Sequence, residues 1–294
     1  MMNAAVYDIS LRITYEYLNP AASSRALLRM LPLNLPDQQL VTGYVGAWPE
    51  PAFRRDGVDF FGNATTLVGH DEPLREITFR FDGRARRLFA ERALDLSCAL
   101  TQIGAEVAAA QSLGPDSPHH FVGPSPRIPH DSAIAAFARE ATEGDMSALT
   151  AVAALSRRLH GEFTFDPAAT DVTTSPSEAF RKRRGVCQDI SHVLIAALRA
   201  VGVPAGYVSG FLRTIPPPGQ PRLEGSDAMH AWVRAWCGSE NGWVEIDPTN
   251  DIWVGADHVT VALGRDYSDV APVKGSLRSI GSHRTVQQVD VVPV

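Results

Sequence analysis

Arg184-Gly185-Val186-Cys187-Gln188-Asp189 leads directly into Ile190, Val193, Leu194, Ala197, Leu198 and Val201, apolar residues that recur at the spacing of one helix face. Gly202 and Pro204 end the pattern, as helix stop signals do. Cys187 therefore falls on or just before the first turn of a helix. There the backbone N–H groups lack partners and the helix dipole favours an anion. A thiol so placed ionises more readily, above all with a histidinium beside it. A buried structural cysteine is the plainer reading of the same residue. The residues further along the chain decide between the two.

After this helix the period changes from helical to two. The segment 207–212 reads as a strand, then a Pro- and Gly-rich loop covers 216–226 and is placed to act as a lid or as plain surface. Strands follow at 230–237 and 243–247, joined by Gly238-Ser239-Glu240-Asn241-Gly242, a hairpin connection. Alternation puts His230 on the face of Trp232, Arg234 and Trp236. Asp247 ends the next strand in Glu245-Ile246-Asp247-Pro248. Singly, His230 reads as a packed residue among tryptophans and Asp247 as part of an Asp-Pro turn. As a hairpin, the two strands bring both side chains to one end. If the helix start also meets that end, Cys187, His230 and Asp247 form a nucleophile, a base and a group that orients the base.

Upstream of the cysteine lie helix signals. Asp131 or Ser132 caps a run through Ala141, Asp145 a second with Leu149, Val152 and Leu159, and Ser175-Pro176-Ser177-Glu178 opens a third that closes at Gly185. The basic run 181–184 reads as a solvated helix end. The first 95 residues differ in kind. Tyr7, Ile9, Leu11, Ile13, Tyr15 and Tyr17 alternate with polar residues until Asn19-Pro20 breaks the pattern. Further strands are expected at 26–31, 40–45 and 76–81, the last ending at the turn signal Asp82-Gly83. The chain thus reads as a mainly antiparallel β region over 1–95, sandwich-like, a linker over 96–130, and an α+β domain over 131–294. The short strand candidates 259–263 and 286–292 are grouped with the latter.

The whole composition narrows the function. A chain of 294 residues with 45% hydrophobic and 20% charged residues is an ordinary globular protein. A net charge of −6 and a pI near 5.8 argue against nucleic-acid binding. Cys98, Cys187 and Cys237 are odd in number and not spaced as a disulfide framework, which fits a reducing compartment. The start carries neither a basic region nor an apolar run, and no stretch reaches the ~18 apolar residues of a membrane span. A cytoplasmic location without membrane contact is expected, so Asn63-Ala64-Thr65 is not read as a glycosylation site. No calcium loop or zinc spacing appears, and the adjacent His119-His120 read as surface residues. No metal or cofactor requirement is indicated. Oligomeric state is not legible.

Three motifs carry a family resemblance: Gly185-Val186-Cys187-Gln188-Asp189 with 198–210 behind it, Met229-His230-Ala231-Trp232-Val233, and Trp243-Val244-Glu245-Ile246-Asp247-Pro248-Thr249-Asn250. In this order they resemble the core of transglutaminase-like proteins, over roughly 145–250. The first strands, Asp59 to Asn63, and Asp266-Tyr267-Ser268-Asp269-Val270 resemble bacterial members with an N-terminal β domain. The resemblance implies a papain-like fold with Cys187 as nucleophile, His230 as general base and acid, and Asp247 as its orienter. Animal transglutaminases have a tryptophan ahead of the cysteine that helps hold the oxyanion, whereas no tryptophan lies between Trp48 and Trp232 here. The Cys187 N–H is one oxyanion donor, and Gln188 an option for the second. The expected activity is acyl-thioester chemistry on an amide of a protein or peptide. It ends in hydrolysis when water resolves the thioester, the outcome favoured because no second substrate site is evident, or in transfer when an amine does. A non-catalytic binding or scaffold module is the contrasting expectation, opposed by the intact set of three residues.

Overall fold

The computed structural model describes residues 3–89, 94–215, 225 and 227–294. Its first layer is built around one long strand. β1 (Asn3–Leu28) buries Tyr7, Ile9, Leu11 and Ile13 on one face, as the period of two requires. Around it lie β2 (Gln38–Trp48), β3 (Phe53–Val58), β4 (Ala64–His70) and β5 (Leu74–Phe89), in the order β2-β5-β1-β4-β3. Asn19-Pro20 does not end β1. The register shifts between Glu16 and Ala21, Ser23 takes a positive φ of 52°, and the strand leaves β5 to pair with β4. Proline is tolerated at such an irregularity, so the turn signal marks a bend within the strand. Asp82-Gly83 likewise lies inside β5. A Cβ on Gly83 would sit 2.5 Å from the Thr42 carbonyl oxygen, where β2 carries a bulge. That glycine serves close backbone approach rather than a turn.

The middle of the chain is helical. α1 (Ile103–Ala109) precedes α2 (Ser132–Ala141), which Asp131 caps by accepting from the Ala133 and Ile134 amides. α3 (Ala148–Glu162) is capped by Ser147 rather than Asp145. β6 (Thr164–Phe165) then leads to α4 (Pro176–Lys182), capped by Ser175, which ends at Arg183 in the left-handed region. The basic run is partly engaged: the Arg183 guanidinium lies 3.8 Å from the Phe180 ring centroid and Lys182 pairs with Glu178 at 2.8 Å. β7 (Arg184–Gly185) opens directly into α5 (Cys187–Ala200).

α5 packs on a five-stranded antiparallel sheet of β8 (Ala205–Leu212), β9 (Ala228–Trp236), β10 (Trp243–Asp247), β11 (Ile252–Trp253) and β12 (His258–Gly264), in the order β11-β10-β9-β8-β12. Gly210 on β8 admits Trp232 and the Val259 carbonyl oxygen, each 2.3 Å from where a Cβ would stand. α6 (Tyr267–Val270), capped by Asp266, turns the chain back. The proposed lid, 216–226, lies outside the described residues apart from position 225. Among the described residues no helix is long and apolar enough to cross a membrane.

The tail departs from the sequence reading. The strand candidate 286–292 falls with the second half by its place in the chain, but β14 (His283–Pro293), which contains it, pairs with β1, as does β13 (Val273–Arg278). Val289 and Val291, fully buried, add to the first sheet's core beside Leu11 and Ile9. The two sheets are joined through β12, an edge strand whose backbone groups need partners. Two amide side chains supply them. Gln38 accepts from the Thr260 N–H at 2.7 Å and donates to the Thr260 carbonyl at 2.7 Å. Asn63 does the same at Leu263, at 2.8 Å each way. Asp59 holds that turn by accepting from the Phe61 and Asn63 amides. Asn63 is fully buried with its amide engaged on both sides, which leaves that side chain no room to carry a glycan. Asn63→Ala is expected to lower stability by about 1–3 kcal/mol, because it strands two backbone groups of β12. Urea denaturation checks this, and a loss below roughly 0.3 kcal/mol would contradict the docking role.

Candidate active site

The three residues picked out in the sequence come together at one end of the second sheet. Val186 is extended and Cys187 is the first residue of α5. The Asp189 and Ile190 amides turn back to the Val186 carbonyl at 2.9 and 3.1 Å, so the Cys187 and Gln188 N–H groups head the helix. Asp189, 1% exposed, accepts from the Val186 N–H at 2.9 Å and the Thr170 hydroxyl at 2.6 Å. This is half of a capping box and locks the residue before the cysteine. Burial pushes the Asp189 carboxyl above its ordinary range. Gly185 is required there: its Cβ would lie 2.6 Å from the Asp189 carboxylate. The Gln188 side chain donates to the Val172 carbonyl at 3.3 Å, which leaves its backbone N–H, not its side chain, as the option for a second oxyanion donor.

His230 lies on β9 and Asp247 at the end of β10, whose pairing sets Ile246 opposite Val233. The expected hairpin thus forms in the register that brings both side chains to one end. His230 Nε2 donates to Asp247 Oδ2 at 2.8 Å, and the Cys187 side chain lies close enough to the ring to act on its protonation. With Nε2 committed to the carboxylate, Nδ1 is the nitrogen left for sulfur. Burial, the largest influence, works against the imidazolium. The hydrogen bonds and charges of Asp247 and Cys187 outweigh it and push His230 from 6.5 up to about 10. Asp247 is fully buried, which favours its neutral form, yet donors from His230 and His258 hold it below the usual carboxylate range.

The Asp247 carboxylate accepts five hydrogen bonds. Oδ1 takes the Thr249 and Asn250 amides at 3.0 and 3.3 Å, and Oδ2 takes His230, His258 at 3.3 Å and the Asn250 side chain at 2.7 Å. His258 and the Asn250 side chain are the residues that the sequence reading missed as parts of the site. His230, Asp247 and His258 present ligand-capable atoms within 4.8 Å of one another. Hydrogen bonds already saturate the carboxylate at their centre, so the set is a proton network and no metal ligation is assigned to it. Behind the cysteine, Tyr207 and Tyr267 are set with ring centroids 6.2 Å apart. Burial first, and the Cys187 charge after it, raise the Tyr207 phenol. Burial lowers the neighbouring His192 to about 3, so it stays neutral and accepts the Tyr267 N–H at 3.2 Å.

A stability signature follows from the His230 shift. Its folded pKa exceeds the unfolded one, so its contribution is whole below pH 6.5 and is lost as pH rises through about 10. Asp247 is depressed, so its share is present above the ordinary carboxylate pKa of about 4 and is lost at lower pH. Between these limits the pair contributes in full. The urea midpoint of the wild type is therefore expected to fall between pH 7 and pH 10, and that slope to flatten in His230→Ala. Parallel slopes in the two proteins would contradict the coupling.

The chain is similar to known proteins over both of its regions. Residues 135–248 match the model of the transglutaminase-like superfamily core, and residues 7–86 match the bacterial transglutaminase-like N-terminal region. An uncharacterized protein of Mycobacterium tuberculosis is 31% identical over 291 residues, covering 98% of this chain and 92% of that one. A protein-glutamine gamma-glutamyltransferase of Pseudomonas aeruginosa is 34% identical over 105 residues, 34% of this chain and 16% of that protein. The crystal structure of a candidate cysteine protease from Cytophaga hutchinsonii superimposes with a TM-score of 0.78 at 19% identity, over 100% of this chain and 92% of that one. The last likeness shows the fold, α+β and papain-like behind a mainly β region. On matches that span both regions, the chain belongs to the transglutaminase-like superfamily, in the bacterial form that carries its own N-terminal region.

Proposed function

We propose that the protein is a cysteine-dependent enzyme that cleaves an amide through an acyl-thioester. One observation carries this reading: Cys187, at the head of α5, comes beside His230, whose Nε2 is bound to buried Asp247. The Cys187 sulfur attacks the amide carbon and forms a C–S bond as the carbonyl π electrons move to oxygen. The N–H groups heading α5 are placed to receive that oxyanion. The intermediate collapses, the C–N bond breaks, and the His230 imidazolium gives its proton to the departing amine. Water then transfers a proton to His230 and attacks the thioester, which releases a carboxylic acid and restores the thiolate–imidazolium pair. Asp247 stays ionised throughout and holds the ring.

Hydrolysis is the preferred outcome, since water needs no acceptor site. Transfer to a primary amine is the second reading, supported by the stretch of similarity to a protein-glutamine gamma-glutamyltransferase. Incubating the full chain with a glutamine-bearing peptide library, with and without a fluorescent primary amine, separates them by mass. Chain cleavage or conversion of amide to acid marks hydrolysis, and incorporation of the amine marks transfer. Cys187→Ala is the blank. No product beyond that blank, together with no preferential alkylation of Cys187, would sink the enzymatic reading in favour of a binding module.

A further inference from the structure

His258 has no part in the chemistry just described, yet it touches the residue on which that chemistry depends. It is 2% exposed at the start of β12 and was not visible as a site residue in the sequence. The Gly255 N–H donates toward its Nδ1 at 3.5 Å, which makes Nδ1 the acceptor and leaves the hydrogen on Nε2. Nε2 faces Asp247 Oδ2 at 3.3 Å, the same oxygen that holds His230 at 2.8 Å. The edge of the Trp232 indole packs against the ring, with centroids 5.2 Å apart and planes at 80°. Trp232 is itself tied to Glu245 at 2.8 Å. Two residues further along β12, Gln38 clamps Thr260. The imidazole is thus fixed in place by both halves of the molecule.

We propose that His258 is a positioning residue that shares Asp247 Oδ2 with His230 and so limits how tightly Asp247 holds the His230 proton. The inference rests on the proposed roles of Cys187, His230 and Asp247. A carboxylate with a single imidazolium partner keeps that proton strongly and makes the ring a poor acid toward a leaving amine. Each further donor on the same oxygen draws charge away from the first. The titratable groups facing His230 are Cys187 from α5, Asp247 from β10 and His258 from β12. Glu245, next on the same face of β10, is taken up by the Trp232 indole.

The sign of the effect separates this role from mere packing. Removing the His258 donor while Asp247 stays in place must raise the His230 pKa, whereas loosening Asp247 must lower it. Titration of the full-length protein labelled with ¹⁵N-histidine, read by NMR on His258→Leu and His258→Gln, makes the test. Glutamine can return an N–H near the position of Nε2; leucine fills volume only. His258→Leu is expected to shift the His230 titration upward by about one unit, a tenfold change in proton affinity, and to slow alkylation-coupled proton release from His230. His258→Gln is expected to stay close to wild type. No shift or a downward shift in His258→Leu, or equal shifts in both variants, would overturn the proposal. A wild-type His230 titrating near 6.5 would instead overturn the underlying pairing, and His258 with it.

Discussion

Replacing His230 by alanine is expected to slow alkylation of Cys187 by iodoacetamide by on the order of a hundredfold at pH 6, and to cut any amide turnover by roughly 10²–10⁴. Sulfur reacts as its anion, and in the proposed mechanism the adjoining His230 ring takes and keeps its proton. His230 is pushed up to about 10, so the imidazolium persists across the neutral range. Without the ring the thiol must ionise unaided, and the rate should climb with pH as for a free thiol. The protein supplies its own controls. Burial raises the Cys98 thiol, and Cys237 is fully buried. In the wild type, mass spectrometry after a brief pulse should find the label at Cys187 far ahead of both. In His230→Ala that preference should collapse while the circular dichroism melt stays cooperative. A variant with the wild-type rate and pH profile would refute the Cys187–His230 pair.

The parts of the site that could be read in the sequence share a property. Cys187, His230 and Asp247 each occupy a fixed place on a regular element: the first residue of α5, one strand of a hairpin and the end of its partner. Local periodicity and stop signals locate such places. His258 has no such relation to the others. Residues 248–257 must first carry the chain from β10 to the far edge of the sheet before its ring meets Asp247, and no spacing rule encodes that crossing. The same limit explains the tail. Val289 pairs with Leu11 nearly the length of the chain away, and an alternating pattern states that a strand exists without naming its partner. Gly83 and Pro20 differ for another reason: glycine and proline punctuate turns, but they also serve bulges and close contacts inside strands. Only the neighbouring backbone tells the cases apart, as the Thr42 carbonyl does for Gly83.

Asp247→Ala should be the most destabilising single change in the site, at about 3–5 kcal/mol. The carboxylate is fully buried and receives five donors, two of them backbone amides of its own turn. Alanine leaves those donors without an acceptor and His230 as a buried ring with no counter-charge. A domain of ordinary stability, 5–15 kcal/mol, would lose a large fraction of it. Asp247→Asn separates architecture from electrostatics. The amide keeps the shape and one oxygen, which can serve the Thr249 and Asn250 N–H groups or the two histidines but not both. Satisfying the turn points an NH₂ at His230 Nε2, which forces the hydrogen onto Nδ1, the nitrogen that must accept from Cys187. Such a tautomer error costs on the order of 10⁴ in turnover in a Ser-His-Asp enzyme. The expected pattern is therefore a large stability loss for alanine, a smaller one for asparagine, and near-complete loss of selective Cys187 alkylation in both. Urea denaturation at pH 6, with alkylation kinetics on the same samples, reads the two effects apart. An Asp247→Asn protein that keeps wild-type reactivity would show that Asp247 serves only to close the turn, and the orienting role would have to be withdrawn.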